Sequence, residues 1–243
     1  MKILVARVAI VFLWLALCSA DNTQQTSMRS SPYFPRSCFI IEREGYVLSY
    51  DGRTRNAGWV YERLTRDSFE IKNADRSKLK YKVDELVPEC IQSSPKDYQG
   101  SGFDFGHLCP FGDCRSHPTA ASETFILSNI SPQVPEMNRG FWRKLEEHLR
   151  DLALEYSVLH VITIPLYLPQ EGYVRYQTIG PDQVAVPTHF CKVVFIEKIK
   201  GVDVIAYILP NAKIPKESTL EQFRTTLKQV ERLSGVIFPG FRE

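Results

Sequence analysis

The stretch from Tyr98 to Glu146 constrains this chain more than any other, because it threads His107, Asn129, Asn138 and Glu146 through strand-like and helix-like segments. His107 follows Gly106 and precedes Leu108, so a small neighbour leaves the imidazole reachable while an apolar one anchors the backbone. Imidazole titrates near neutrality and can take a proton from water. Asn138 stands just before a helical pattern, where an amide oxygen can ligate a hard cation. A base and a hard metal in one stretch point to phosphodiester hydrolysis.

Downstream, Phe141, Leu145, Leu149, Leu152 and Tyr156 recur at helical spacing as a core-facing stripe, with Arg143 and Glu146 off it. Eight helical residues separate the backbones of Asn138 and Glu146 by about 12 Å, too far for both to ligate one ion directly. Helical side chains lean toward the N-terminus, so Glu146 is expected to reach back toward ion-bound water while Asn138 ligates.

A chain of 243 residues can bury one sizeable core. Its formal charge of +2 neither demands nor forbids nucleic acid, because the local arrangement of Lys and Arg sets the field. Residues 1–20, MKILVARVAIVFLWLALCSA, have a basic start, a short apolar run and small residues near Ala20, the form of a signal peptide. Export or secretion is the expectation, with an uncleaved membrane anchor as the alternative and no transmembrane segment beyond it. Residues 21–37 are polar and read as a flexible leader, and residues 38–243 as a single domain. Cleavage leaves Cys38, Cys90, Cys109, Cys114 and Cys191; Cys109 and Cys114 are near enough for a local bridge, and Cys191 reads as a buried free thiol.

Residues 45–65, with a turn at Asp51-Gly52, predict two antiparallel strands, and Phe69 to Ile71 a possible extension of the sheet. Arg76, Lys78, Lys80 and Lys82 read either as a solvated strand edge or as the flank of a phosphate track. Val158 to Leu168 predicts a strand interrupted by Pro165, and two adjacent strands are expected to join at Gly201. Ser218 and Glu221 predict a capping box opening a helix that runs from Leu220 to Leu233 and ends at Gly235. Neither an internal repeat nor a dinucleotide-binding glycine fingerprint is evident, and several strands with two helices favour an α+β domain.

Taken together, Asp104-Phe105-Gly106-His107, Leu127-Ser128-Asn129, Asn138, Trp142 and Leu145-Glu146 resemble the DNA/RNA non-specific endonucleases, the ββα-metal nucleases. The similarity continues through Val184 to Phe190 and Leu209 to Ala212, and spans about Val47 to Gly240. It implies a ββα-metal fold with a largely antiparallel mixed sheet and packed helices. It also implies Mg²⁺- or Mn²⁺-dependent cleavage of DNA and RNA, in a protein that can form a homodimer. By resemblance His107 is the general base and Asn138 the metal ligand. Asn129 holds phosphate or orients the histidine environment, and Glu146 bonds metal-bound water. Asp104, Arg139 and Arg143 are the expected substrate-binding residues.

Phe105 stands where the family carries arginine, and a phenyl ring cannot donate forked, charge-assisted hydrogen bonds to phosphate. A cation from Arg139, Arg143 or the lysines at 78–82 would have to compensate. The alternative is a nuclease-like module that binds nucleic acid or protein without cleaving. Two further local readings are a zinc site from His107, Cys109, Cys114 and His117, and glycosylation at Asn129-Ile130-Ser131.

Overall fold

The computed structural model describes residues 38–70 and 73–241. The expected signal segment and leader lie outside these residues. The chain opens with β1 (Cys38–Glu42), β2 (Tyr46–Asp51) and β3 (Asn56–Thr65), an antiparallel meander. After a long irregular stretch come β4 (Asp104–His107) and β5 (Ile130–Gln133), which pair only with each other. Helix α1 (Arg143–Glu155) then leads into β6 (Val158–Leu166). The small pair β7 (Thr178–Ile179) and β8 (Val184–Ala185) follows, then β9 (His189–Glu197), β10 (Val202–Pro210), β11 (Arg224–Thr225) and α2 (Leu227–Ser234).

The main sheet has seven strands in the order β1-β2-β3-β6-β9-β10-β11, each neighbour antiparallel. Strands β6 and β9 are apolar along nearly their whole length because both of their faces are covered. One face carries Val60, Leu64, Leu159, Val161, Phe190 and Val194, against Trp142, Leu145, Leu149 and Ala153 of the helical layer. The other carries Ile162, Ile164, Cys191, Val193 and Phe195, against Val230 of α2. The side-chain period of two sends alternate residues of each strand to opposite layers.

Pro165 does not interrupt β6: its pairing with β3 runs only from Val158 to Thr163, so the missing amide falls where no partner needs it. Phe69 belongs to a helical turn at Asp67–Glu70 rather than to a sheet extension. The capping box near Leu220 uses Thr219 and Gln222, not Ser218 and Glu221, and it opens only a short turn. The helix itself starts seven residues later than its pattern suggests, at Leu227, where the Thr226 hydroxyl accepts from Gln229 N. It ends as expected at Gly235, whose φ of 72° is the left-handed cap that glycine adopts without strain.

Candidate active site

The site is built on the antiparallel β4–β5 pair and the turn leading into α1. Register places Asp104 opposite Gln133 and His107 opposite Ile130. Gly106 makes room for the Gln133 side chain, which a Cβ at that position would meet at 2.2 Å. Asn211, at the end of β10, fastens this pair to the sheet. It accepts from Val134 N at 2.8 Å and donates to Pro132 O at 3.1 Å and Pro187 O at 2.9 Å. Residues Asn138–Trp142 form a wide π-type turn with non-helical dihedrals at Gly140 (φ −106°, ψ −106°), so the helix is kinked between Asn138 and Glu146.

His107, Asn138, Arg139, Arg143 and Glu146 line one cavity of about 430 Å³, together with Arg76, Phe105, Phe111, Arg115 and Arg150. His107 is buried, its ring meets Phe125 edge-on at 4.9 Å, and its Nε2 has no hydrogen-bond partner among the described residues. Burial, with the nearby Arg76 guanidinium, pushes the imidazole down to about 3, so it is neutral near pH 7. Burial likewise raises Glu146 to about 8, with Asp113 adding to the rise and Lys192 and Arg150 opposing it.

Asp104 is engaged by two neighbouring side chains. Its Oδ2 accepts from Asn138 Nδ2 at 2.8 Å, and its two oxygens accept from Arg139 Nε and Nη2 at 2.8 and 2.6 Å. Arg139 is therefore anchored by Asp104 while its side chain stays largely exposed. Arg143 sits 3.6 Å from Glu147 on the open rim. Asn129 is fully buried: Oδ1 accepts from Cys109 N, and Nδ2 donates to Cys109 O and Thr124 O. Its side chain thus holds the backbone two residues beyond His107, and the burial rules out glycosylation there.

Phe105 is packed as the middle of an aromatic stack, with Tyr81 at 4.0 Å and 10° and Tyr98 at 4.2 Å and 20°. Among the basic residues at 76–82, it is Arg76 that enters the cavity, its guanidinium lying 5.8 Å from the Phe111 ring centre and 5.7 Å from that of Phe125. Lys78 turns instead to Asp75. The basic run signalled that a cation could reach the site, but only the turn at Arg76–Lys78 selects which one.

Two local expectations are corrected. Cys109 and Cys114 are free thiols, their sulfurs 3.5 Å apart in hydrogen-bond contact rather than bonded. The zinc reading fails because His117 is exposed against Glu44 while His107 is buried, and among the described residues no three His, Cys, Asp or Glu side chains gather to hold a metal.

An antiparallel strand pair feeding a kinked turn and a helix, with histidine on the strand and asparagine at the turn, defines a ββα nuclease module. The chain belongs to the DNA/RNA non-specific endonuclease family, whose model matches residues 24–240. It is 41% identical over 205 residues to human mitochondrial endonuclease G, covering 82% of this chain and 69% of that one. It is 42% identical over 208 residues to nuclease C1 of Cunninghamella echinulata var. echinulata, covering 82% of both chains. A solved EndoG/EndoGI complex contains a chain that superposes with a TM-score of 0.79 at 40% identity, covering 82% of this chain and 84% of that one.

The expectation of export is overturned by these relatives, since those in human, cattle, Saccharomyces cerevisiae and Schizosaccharomyces pombe are named mitochondrial. A short apolar run behind a basic start is a weak discriminator among targeting segments. Among the described residues, no helix is long and apolar enough to cross a membrane.

Proposed function

We propose that the protein is a divalent-metal-dependent endonuclease that hydrolyses phosphodiester bonds in DNA and RNA without sequence preference. The observation that carries this reading is the shared cavity lined by His107, Asn138 and Glu146, with arginines on its walls and rim. His107 is the general base: its ring lines the cavity, and its Nε2, which has no partner among the described residues, takes the proton from the attacking water. Asn129 keeps that ring in place by fixing the backbone after it.

The donor set suits a hard cation. Asp104 engages Nδ2 of Asn138, leaving the amide oxygen as the free end, and Glu146 supplies a carboxyl group on the same cavity. Mg²⁺ or Mn²⁺ held there would neutralise charge on the phosphate and the leaving oxygen. Arg76 and Arg143 provide cations toward a phosphate, in place of the arginine that Phe105 replaces. Such contacts read the backbone rather than base edges, which accounts for low sequence specificity.

The test is purified protein against supercoiled DNA and single-stranded RNA. Cleavage of both, supported by Mg²⁺ or Mn²⁺ and abolished by chelation, is the expected result. Folded, metal-supplied protein that binds nucleic acid in a salt-dependent way without cutting it would favour a binding module instead. The names of the relatives support a mitochondrial location, which imaging of the full chain with a C-terminal tag would check. The homodimer expected from the resemblance is checked by light scattering.

A further inference from the structure

Beneath the β4–β5 pair, the otherwise apolar face of the main sheet carries three polar side chains on its three central strands: Glu62 on β3, Thr163 on β6 and Lys192 on β9. All three are buried, with Lys192 only 1% exposed and Glu62 2%. The Lys192 ammonium donates to Thr163 Oγ1 at 2.6 Å, Leu108 O at 3.3 Å and Glu62 Oε1 at 3.5 Å. It also lies 5.2 Å from the centre of the Trp142 ring. Glu62 in turn accepts from Cys109 Sγ at 3.3 Å.

The proposed chemistry uses none of these groups, yet their contacts outside the trio, to Leu108, Cys109 and Trp142, lead to the residues around the base. Leu108 and Cys109 directly follow His107, and Trp142 Nε1 donates to His107 O at 3.4 Å. A buried ion pair is often replaceable by apolar side chains of similar volume with little loss of stability, so its consequence is to be sought in what it orients. An apolar face could support the strand pair's weight but could not fix where the Leu108 carbonyl sits. An ammonium with three directed donors can.

We propose that Lys192, seated by Thr163 and Glu62, is a positioning residue that sets the placement of the His107 imidazole through the Leu108 carbonyl and the Trp142 ring. This rests on the reading of His107 as the general base. The side chain reaches neither the cavity nor the substrate; it acts through the backbone that follows the base.

The test uses the Glu62→Leu/Lys192→Met double variant, which removes the pair without stranding one buried charge, and Thr163→Val, which removes only the shortest contact to the ammonium. The folded double variant is expected to lose kcat about 10- to 100-fold, the scale of a misplaced base, while KM for duplex DNA stays within about two-fold. Thr163→Val should lose less, in the same direction, and it carries the test alone if the double variant does not fold. The second readout is the ¹⁵N imidazole spectrum of His107, which should shift or broaden in the variants while the other histidines do not. A fall in kcat with His107 resonances unmoved overturns the proposal, as does a rise in KM at wild-type kcat. If the wild-type protein does not cleave nucleic acid, the nuclease reading fails, and the His107 spectra still decide whether Lys192 positions that ring.

Discussion

Asn138 Nδ2 donates to Asp104 Oδ2 at 2.8 Å, so the first residue of β4 orients the first residue of the turn that enters α1. Replacing Asp104 with Asn removes the carboxylate that fixes the Asn138 amide and anchors Arg139. The Mg²⁺ concentration for half-maximal cleavage should rise about 10- to 100-fold, the scale of losing an outer partner of a metal ligand. A metal titration of cleavage rate measures this, and an unchanged midpoint would show that the Asp104 carboxylate does not tune metal binding through Asn138.

Replacing His107 with Ala should leave the fold in place and lower kcat/KM by about 10²- to 10⁴-fold, the usual contribution of a general base. Circular dichroism and single-turnover cleavage on the same preparation separate the two. Wild-type rates in the folded variant would sink the mechanism.

His107 should also make the fold sensitive to acid. Its pKa is about 3 in the folded protein, below the ordinary value of 6.5, so the unfolded chain binds the extra proton between these limits. The contribution is therefore complete above about pH 6.5 and is lost as pH falls toward 3, with a slope of at most about 1.4 kcal/mol per pH unit. Glu146, raised by burial to about 8, acts in the opposite sense: its contribution is present at low pH and is lost as pH rises from 4.5 toward 8. Urea unfolding of wild type and His107→Gln in chelator, from pH 4.5 to 7.5, isolates the histidine. The gap between the two proteins should narrow as pH falls.

Phe105→Arg should not restore a missing phosphate contact. The ring is stacked on both faces, and losing two aromatic pairs costs about 1 to 3 kcal/mol. The expected outcome is a lower urea midpoint with no gain in kcat/KM corrected for folded fraction. A rise in kcat/KM would show that the site lacks only a cation at that position.

Arg76→Ala should weaken DNA binding and reduce the slope of log K against log salt by about one phosphate contact. Asn129→Ala differs in kind, because it leaves buried backbone groups of Cys109 and Thr124 without partners at about 1 to 3 kcal/mol each. Its first effect should therefore appear in thermal unfolding rather than in binding. A stable variant with weakened phosphate binding would instead mean that Asn129 reaches the substrate.

The sequence by itself determined the family, the α+β class, the hairpin at β2–β3, the β9–β10 pair and the Gly235 stop. These rest on local periods, turn residues and motifs that survive in one dimension. It also singled out His107, Asn138, Arg139, Arg143 and Glu146, which the fold brings to one cavity. Tertiary structure alone decided how each is held there, because partners distant in the chain set burial and hydrogen bonding. Asp104 meets Asn138 across 34 residues and Glu62 meets Lys192 across 130, separations that no local pattern records. The same holds for Phe105, which reads as a lost arginine in one dimension and as the centre of a tyrosine stack in three, and for Arg76, which two phenyl rings turn toward the cavity while Lys78 turns to Asp75. Side-chain chemistry is written in the sequence, but burial and partnership, which set charge state and reach, arise only when the layers close.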